Sequence, residues 1–206
     1  MALPATFQAL GSRRGLRRVL AGFVAFTLVQ WSAWMAVILY AFEEGGPSLA
    51  AIASVVLLLP AALFSPMIGG VGDRMRRGLA LVLAYGAVTI GAAITLATLL
   101  AHAPVWAVLA AGSLFMLTVS GVRPVHFSVL PNLSGGPEEL VSANAMSAAS
   151  DEFAEFLGPV LAGLLFALVG AWFVLAVGTA LGLIAVVLCL RLDAGSPSSE
   201  DEAEGW

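Results

Sequence analysis

The chain repeatedly stays apolar for the length of a bilayer crossing, and this limits what it can fold into more than any single motif does. Apolar runs cover roughly residues 19–42, 48–68, 79–100, 105–128, 140–169 and 172–190. A hydrocarbon core of ~30 Å takes about 20 helical residues to cross. Each run is therefore a transmembrane-helix candidate, and the connections between them are too short to hold a soluble domain. The composition agrees: 60% of residues are hydrophobic and 11% charged, where a soluble domain has about 45–50% and about 25%. The sequence predicts an all-α membrane protein with six transmembrane helices. Its parts are an arginine-rich cytoplasmic lead (1–18), a six-helix transmembrane bundle (19–190) and a disordered acidic cytoplasmic tail (191–206). Pro60 and Pro66 fall inside the second run, which membrane helices tolerate when neighbours satisfy the freed backbone.

The arginines orient the bundle. All 9 basic residues are arginine; Arg13, Arg14, Arg17 and Arg18 precede the first run, Arg74, Arg76 and Arg77 lie between the second and third, and Arg191 follows the sixth. Alternating sides from a cytoplasmic N-terminus puts all eight of these inside, while the opposite loops, around Glu43-Glu44, His102 and Gly170, carry no arginine. The positive-inside rule then puts both termini on the cytoplasmic side, and the chain is expected to be a multi-pass protein of the plasma (inner) membrane. Ser12-Arg13-Arg14 imitates a twin-arginine export signal, but the apolar run that follows is too long for a signal h-region and leads into further spans.

Ionisable residues inside apolar runs are functional candidates by default. Asp151, Glu152 and Glu155 precede Phe156 in the fifth run, and too few apolar residues remain after Phe156 to cross a bilayer. Part of this acidic segment must therefore enter the membrane. Asp151 and Glu155 are four apart and share a helical face that continues through Gly158 and Ala162, small residues suited to helix packing. Arg123, late in the fourth run, is placed about 9 Å inside its end at 1.5 Å per residue. Arg123 is expected to pair with Asp151 or Glu155. The functional version of this pair is a carboxylate that takes up and releases a proton; the plainer one is a static ion pair, or acids at a wet mouth. Gln30, near the middle of the first run, and Trp34 one turn on are candidates for a substrate pathway; an interhelical hydrogen bond would equally occupy the amide. His126 reads as a solvated interfacial histidine, Gly178 and Gly182 as a packing step, and Cys189 as a small apolar residue. No metal motif, nucleophile constellation or phosphate loop is present. The chain is therefore not expected to be an enzyme, and no cofactor, metal or nucleic-acid partner is expected.

Between the second and third runs stands Gly69-Gly70-Val71-Gly72-Asp73-Arg74-Met75-Arg76-Arg77-Gly78. This stretch resembles the loop between the second and third helices of major facilitator superfamily transporters: Gly, three residues, Asp-Arg, one residue, Gly-Arg-Arg. Gly69, Asp73, Arg74 and Arg77 fill pattern positions; either Arg76 replaces the second glycine, or the loop is one residue shorter and Arg76-Arg77 form the terminal pair. The arginine-rich lead, Pro124, the Pro131 loop and the Asn144…Gly158-Pro159…Gly163 run also resemble the N-terminal six-helix half of that family, in its drug-efflux branch.

The resemblance implies a fold of two inverted three-helix repeats, half of a major facilitator fold; the prolines Pro60/Pro66 and Pro159 in the second helix of each trio are its trace here. It further implies that Asp73, Arg74 and Arg77 hold a cytoplasmic gate. The expected function is export of a small, partly apolar compound by alternating access, coupled to an ion gradient. Because alternating access needs two bundles, the expected partners besides the lipid bilayer and the small-molecule substrate are a second copy or a second six-helix half. The competing expectation is a non-transporting membrane partner or truncated remnant.

Overall fold

The computed structural model describes residues 14–68, 76–190 and 192, and every regular element in them is helical. These elements are α1 (Arg14–Ile68), α2 (Arg77–Leu100), α3 (Val105–Ser120), α4 (Val122–Leu133), α5 (Pro137–Val169) and α6 (Ala171–Cys189). With α3 and α4 taken as one stretch, Val105–Leu133, there are 5 helices among the described residues long and apolar enough to cross a membrane.

The first two apolar runs thus appear as one element of 55 residues. Unbroken, it would be about 80 Å long, far more than a bilayer core. It is broken at Gly45 (φ −150°, ψ 17°) and Gly46 (φ 68°, ψ −162°). Gly46 holds a positive-φ conformation that side chains resist, and glycine adopts it without a Cβ penalty. The two arms fold back on each other: a Cβ added at Gly112 of α3 would meet both Val37 and Leu57, one from each arm. Ser113 beside it donates to the Val56 carbonyl at 2.9 Å.

The N-terminal arm of α1 is the centre of the bundle. Leu16, Val19, Phe23, Phe26, Val29, Ala33 and Val37 are no more than 1% exposed, and their three- and four-residue steps form one continuous helical stripe. Phe26 packs on Tyr85 of α2, with centroids 5.8 Å apart. On α6 the Gly178, Gly182, Ala185, Cys189 stripe is buried; Gly182 sits so near Thr89 that a Cβ would come within 2.6 Å of its hydroxyl. Small residues here let helices approach where no hydrophobic driving force exists. The outer faces are the reverse: Val55, Leu63, Ile90, Phe156 and Leu168 are exposed, a surface that suits lipid tails and not water.

The last residues of the arginine-rich lead, from Arg14, form the first turn of α1. Two sequence expectations need correction. The fourth run does not end at 128 in a Pro131 loop: the helix breaks at Gly121, resumes as α4 and runs through Pro131 to Leu133. Pro124 lies in the first turn of α4, where its missing N–H is tolerated. The next helix begins at Pro137 rather than near 140, with the proline in its first turn.

Candidate functional site

The break at Gly121 positions the most unusual side chain in the bundle. Arg123 is the second residue of α4, about 15 Å along the helix from its Leu133 end, which is deeper than the sequence placement. It faces the middle of α5. There the guanidinium grips Asp151 side-on: Nη2 lies 2.7 Å from Oδ1 and 2.8 Å from Oδ2, and Nε donates to Oδ2 at 3.1 Å. The remaining nitrogen, Nη1, donates to Gln30 Oε1 at 2.9 Å. All three guanidinium nitrogens are therefore engaged, in the forked geometry that favours arginine over lysine for carboxylates. Trp31 adds a longer contact, Nε1 to Asp151 Oδ1 at 3.4 Å, and the Phe26 ring lies 5.9 Å from Arg123 Cζ.

Three helices meet here because α5 comes very close to α1. A Cβ at Gly158 would fall 2.6 Å from Trp31 Cβ and 3.2 Å from the Ser32 nitrogen, so only glycine permits this crossing. Asp151 is two turns from Gly158 on the same face, which carries Ala154 and Ala162, both buried. Glu155 departs from the expectation. It is exposed and sits off that stripe, so the face it was assigned to with Asp151 belongs to Asp151 alone.

One turn away, α4 and α5 are linked again. His126 is completely buried, not solvated, as is Ser147. Its Nε2 is 2.9 Å from Ser147 Oγ, and its ring stacks on Phe23 with centroids 3.9 Å apart. Ser147 Oγ also lies 2.9 Å from the Ala143 carbonyl, to which its hydroxyl can donate. Nδ1 is buried and without a partner among the described residues. The pairs 123–151 and 126–147 are antiparallel rungs that fix the register of α4 against α5.

The other candidates lie elsewhere. Trp34 is half-buried and meets Trp31 edge-on at 5.9 Å, with its Nε1 buried and unpartnered among the described residues. Arg77 is at the start of α2 and donates to Asn132 Oδ1 near the end of α4 at 2.8 Å. Gly69, Asp73 and Arg74 lie outside the described residues. Sequence reasoning missed Trp31, Ser147 and Phe26. For Trp31 a signal existed, a large amphipathic ring next to Gln30 in mid-span; for Ser147 none did.

The Arg123 and Asp151 side chains keep 31% and 28% of their surface exposed. A partly exposed charged pair is thus held against a buried amide, Gln30, midway along a bundle of apolar helices. Such a structure defines a multi-pass membrane protein, and polar groups at that depth are what a transport route requires. The sequence model of the Major Facilitator Superfamily matches residues 19–205, and the chain belongs to that family. Its members are membrane transporters rather than enzymes. No curated protein matches the chain.

Proposed function

We propose that the chain is the N-terminal half of a drug-efflux-type transporter in the plasma membrane. Its six crossings form two inverted three-helix repeats with both termini cytoplasmic, and the two arms of α1 supply the first two crossings. It exports a small, partly apolar compound by alternating access, coupled to an ion gradient. A second six-helix half, from another copy or a companion chain, closes the route. The carrying observation is the Arg123–Asp151 pair, about a third exposed, with the buried Gln30 as its third member. Facing lipid tails, those charges would cost several kcal/mol; facing water and a second bundle, they are solvated and within reach of substrate. Asp151 is the proton-exchanging group, Arg123 its counter-ion, and Gln30 with Trp31 and Trp34 the wall of the pathway. Glu155 stands at the entrance. Asp73, Arg74 and Arg77, with Gly69 at the turn, close the cytoplasmic side.

The test is reconstitution into liposomes containing a pH-sensitive dye, screened against partly apolar amines and neutral compounds. Compound-dependent proton movement that disappears in Asp151→Asn is expected, with the assembly migrating as two bundles. Proton movement unchanged in Asp151→Asn would remove the coupling role. Transport by demonstrably monomeric protein would remove the need for a second half.

A further inference from the structure

A second polar site lies at the end of the bundle where α1 begins and α6 finishes. Arg14, Arg17, Arg18 and Ala21 line a cavity of about 410 Å³, closed on the α6 side by Leu188. The spacing i, i+3, i+4, i+7 places these four on one face of α1, while Leu16, Val19 and Leu20 on the opposite face are buried in the core. The α1 start and α6 end are held together by close packing, with Gly22 against Cys189 Sγ, so the wall is built from two helices rather than from one mobile turn. We propose that this cavity binds the phosphate headgroup of an anionic phospholipid.

Two observations favour a lipid over a free phosphate. First, the cavity is amphipathic: its lining combines the three arginines of α1 with the apolar Ala21 beside them and Leu188 of α6, matching a phosphodiester joined to a glycerol and acyl chain. Second, its α6 wall belongs to an apolar helix whose neighbouring Val187 is 65% exposed, so apolar surface suited to an acyl chain lies next to the arginines. Basic pockets between helices at the membrane surface hold anionic headgroups by this combination. The site is independent of the transport reading, since none of its residues belongs to the Arg123 cluster.

A smaller cavity on the other side of α6, about 250 Å³, contains one arginine, Arg76, with Leu79, Val82 and Leu190 in its lining. It serves as the comparator. The full chain is placed in bilayers of equal parts phosphatidylglycerol and phosphatidylcholine, extracted, and its retained lipids counted by native mass spectrometry. Wild type is expected to retain phosphatidylglycerol preferentially. Each single change, Arg14→Gln, Arg17→Gln or Arg18→Gln, should weaken that retention about fivefold and the triple change about a hundredfold. Arg76→Gln should alter it less than twofold, and Arg18→Lys, which keeps the charge but loses the fork, should weaken it less than Arg18→Gln does. Retention unchanged in the single variants overturns the proposal, whether or not the triple variant folds. Displacement of the lipid by excess inorganic phosphate would also overturn it, because the cavity would then be a free-phosphate site.

Discussion

A double-mutant cycle on Arg123 and Asp151 is the sharpest check on the geometry. Arg123→Gln leaves Asp151 with only the 3.4 Å contact from Trp31, and Asp151→Asn leaves Arg123 with the Gln30 oxygen at 2.9 Å. Exposed ion pairs couple by about 0.2–1 kcal/mol, whereas losing one partner of a buried pair costs about 3–5 kcal/mol. With side chains 31% and 28% exposed and a forked geometry, this pair belongs between those limits. Each single change should therefore destabilise by about 2–3 kcal/mol, and the double change by about the same amount, giving a coupling of about 2 kcal/mol. The assay is equilibrium unfolding in mixed micelles of increasing denaturing detergent, followed by tryptophan fluorescence. Single-mutant losses that add to within about 0.5 kcal/mol would show that the two side chains do not interact, and the reconstructed site would fall with them.

Gly158→Ala should push α5 away from Trp31, because a Cβ there would be only 2.6 Å from Trp31 Cβ; a loss of about 1–3 kcal/mol is expected, with a shifted Trp31 emission, and a variant as stable as wild type would refute the close crossing. Diethylpyrocarbonate should modify His102, which is exposed, and spare His126, which is 0% exposed; equal labelling of the folded protein would contradict the buried stack on Phe23. His126→Ala, which empties that stack and one rung, should destabilise by about 3 kcal/mol in the same unfolding assay. Gly46→Ala should cost about 1–2 kcal/mol through its positive φ of 68°, and a neutral result would mean that the α1 turn has another shape.

The helical, membrane-spanning class is legible from the apolar runs because bilayer thickness alone demands their length. The meeting of Arg123 and Asp151 is accessible from counting residues along two helices, since a rise of about 1.5 Å per residue turns position into depth. That count, however, depends on where a helix ends. Hydropathy does not register the break at Gly121 or the continuation through Pro131, so Arg123 reads as shallower than it is and His126 as solvated. Glu155 differs for another reason: a four-residue spacing makes it a neighbour of Asp151, but spacing alone does not say which side of the pair faces α1, and Glu155 is on the exposed side. Gln30 is visible as a polar group in mid-span, but its partner is 93 residues away, and no local signal announces that.

The separation of Arg123 from Asp151 in the chain also bears on how the protein is made. Asp151 follows Arg123 by 28 residues, which at about 5–20 residues per second is a delay on the order of seconds during synthesis. Throughout that interval the stretch carrying Arg123 lacks the Asp151 carboxylate that offsets, in the finished bundle, a charge worth about 2.5–3.5 kcal/mol against insertion. Its release into lipid is therefore most favourable once α5 arrives to neutralise it. The two rungs that fix α4 against α5 in the finished bundle make this helical pair the natural unit of membrane entry.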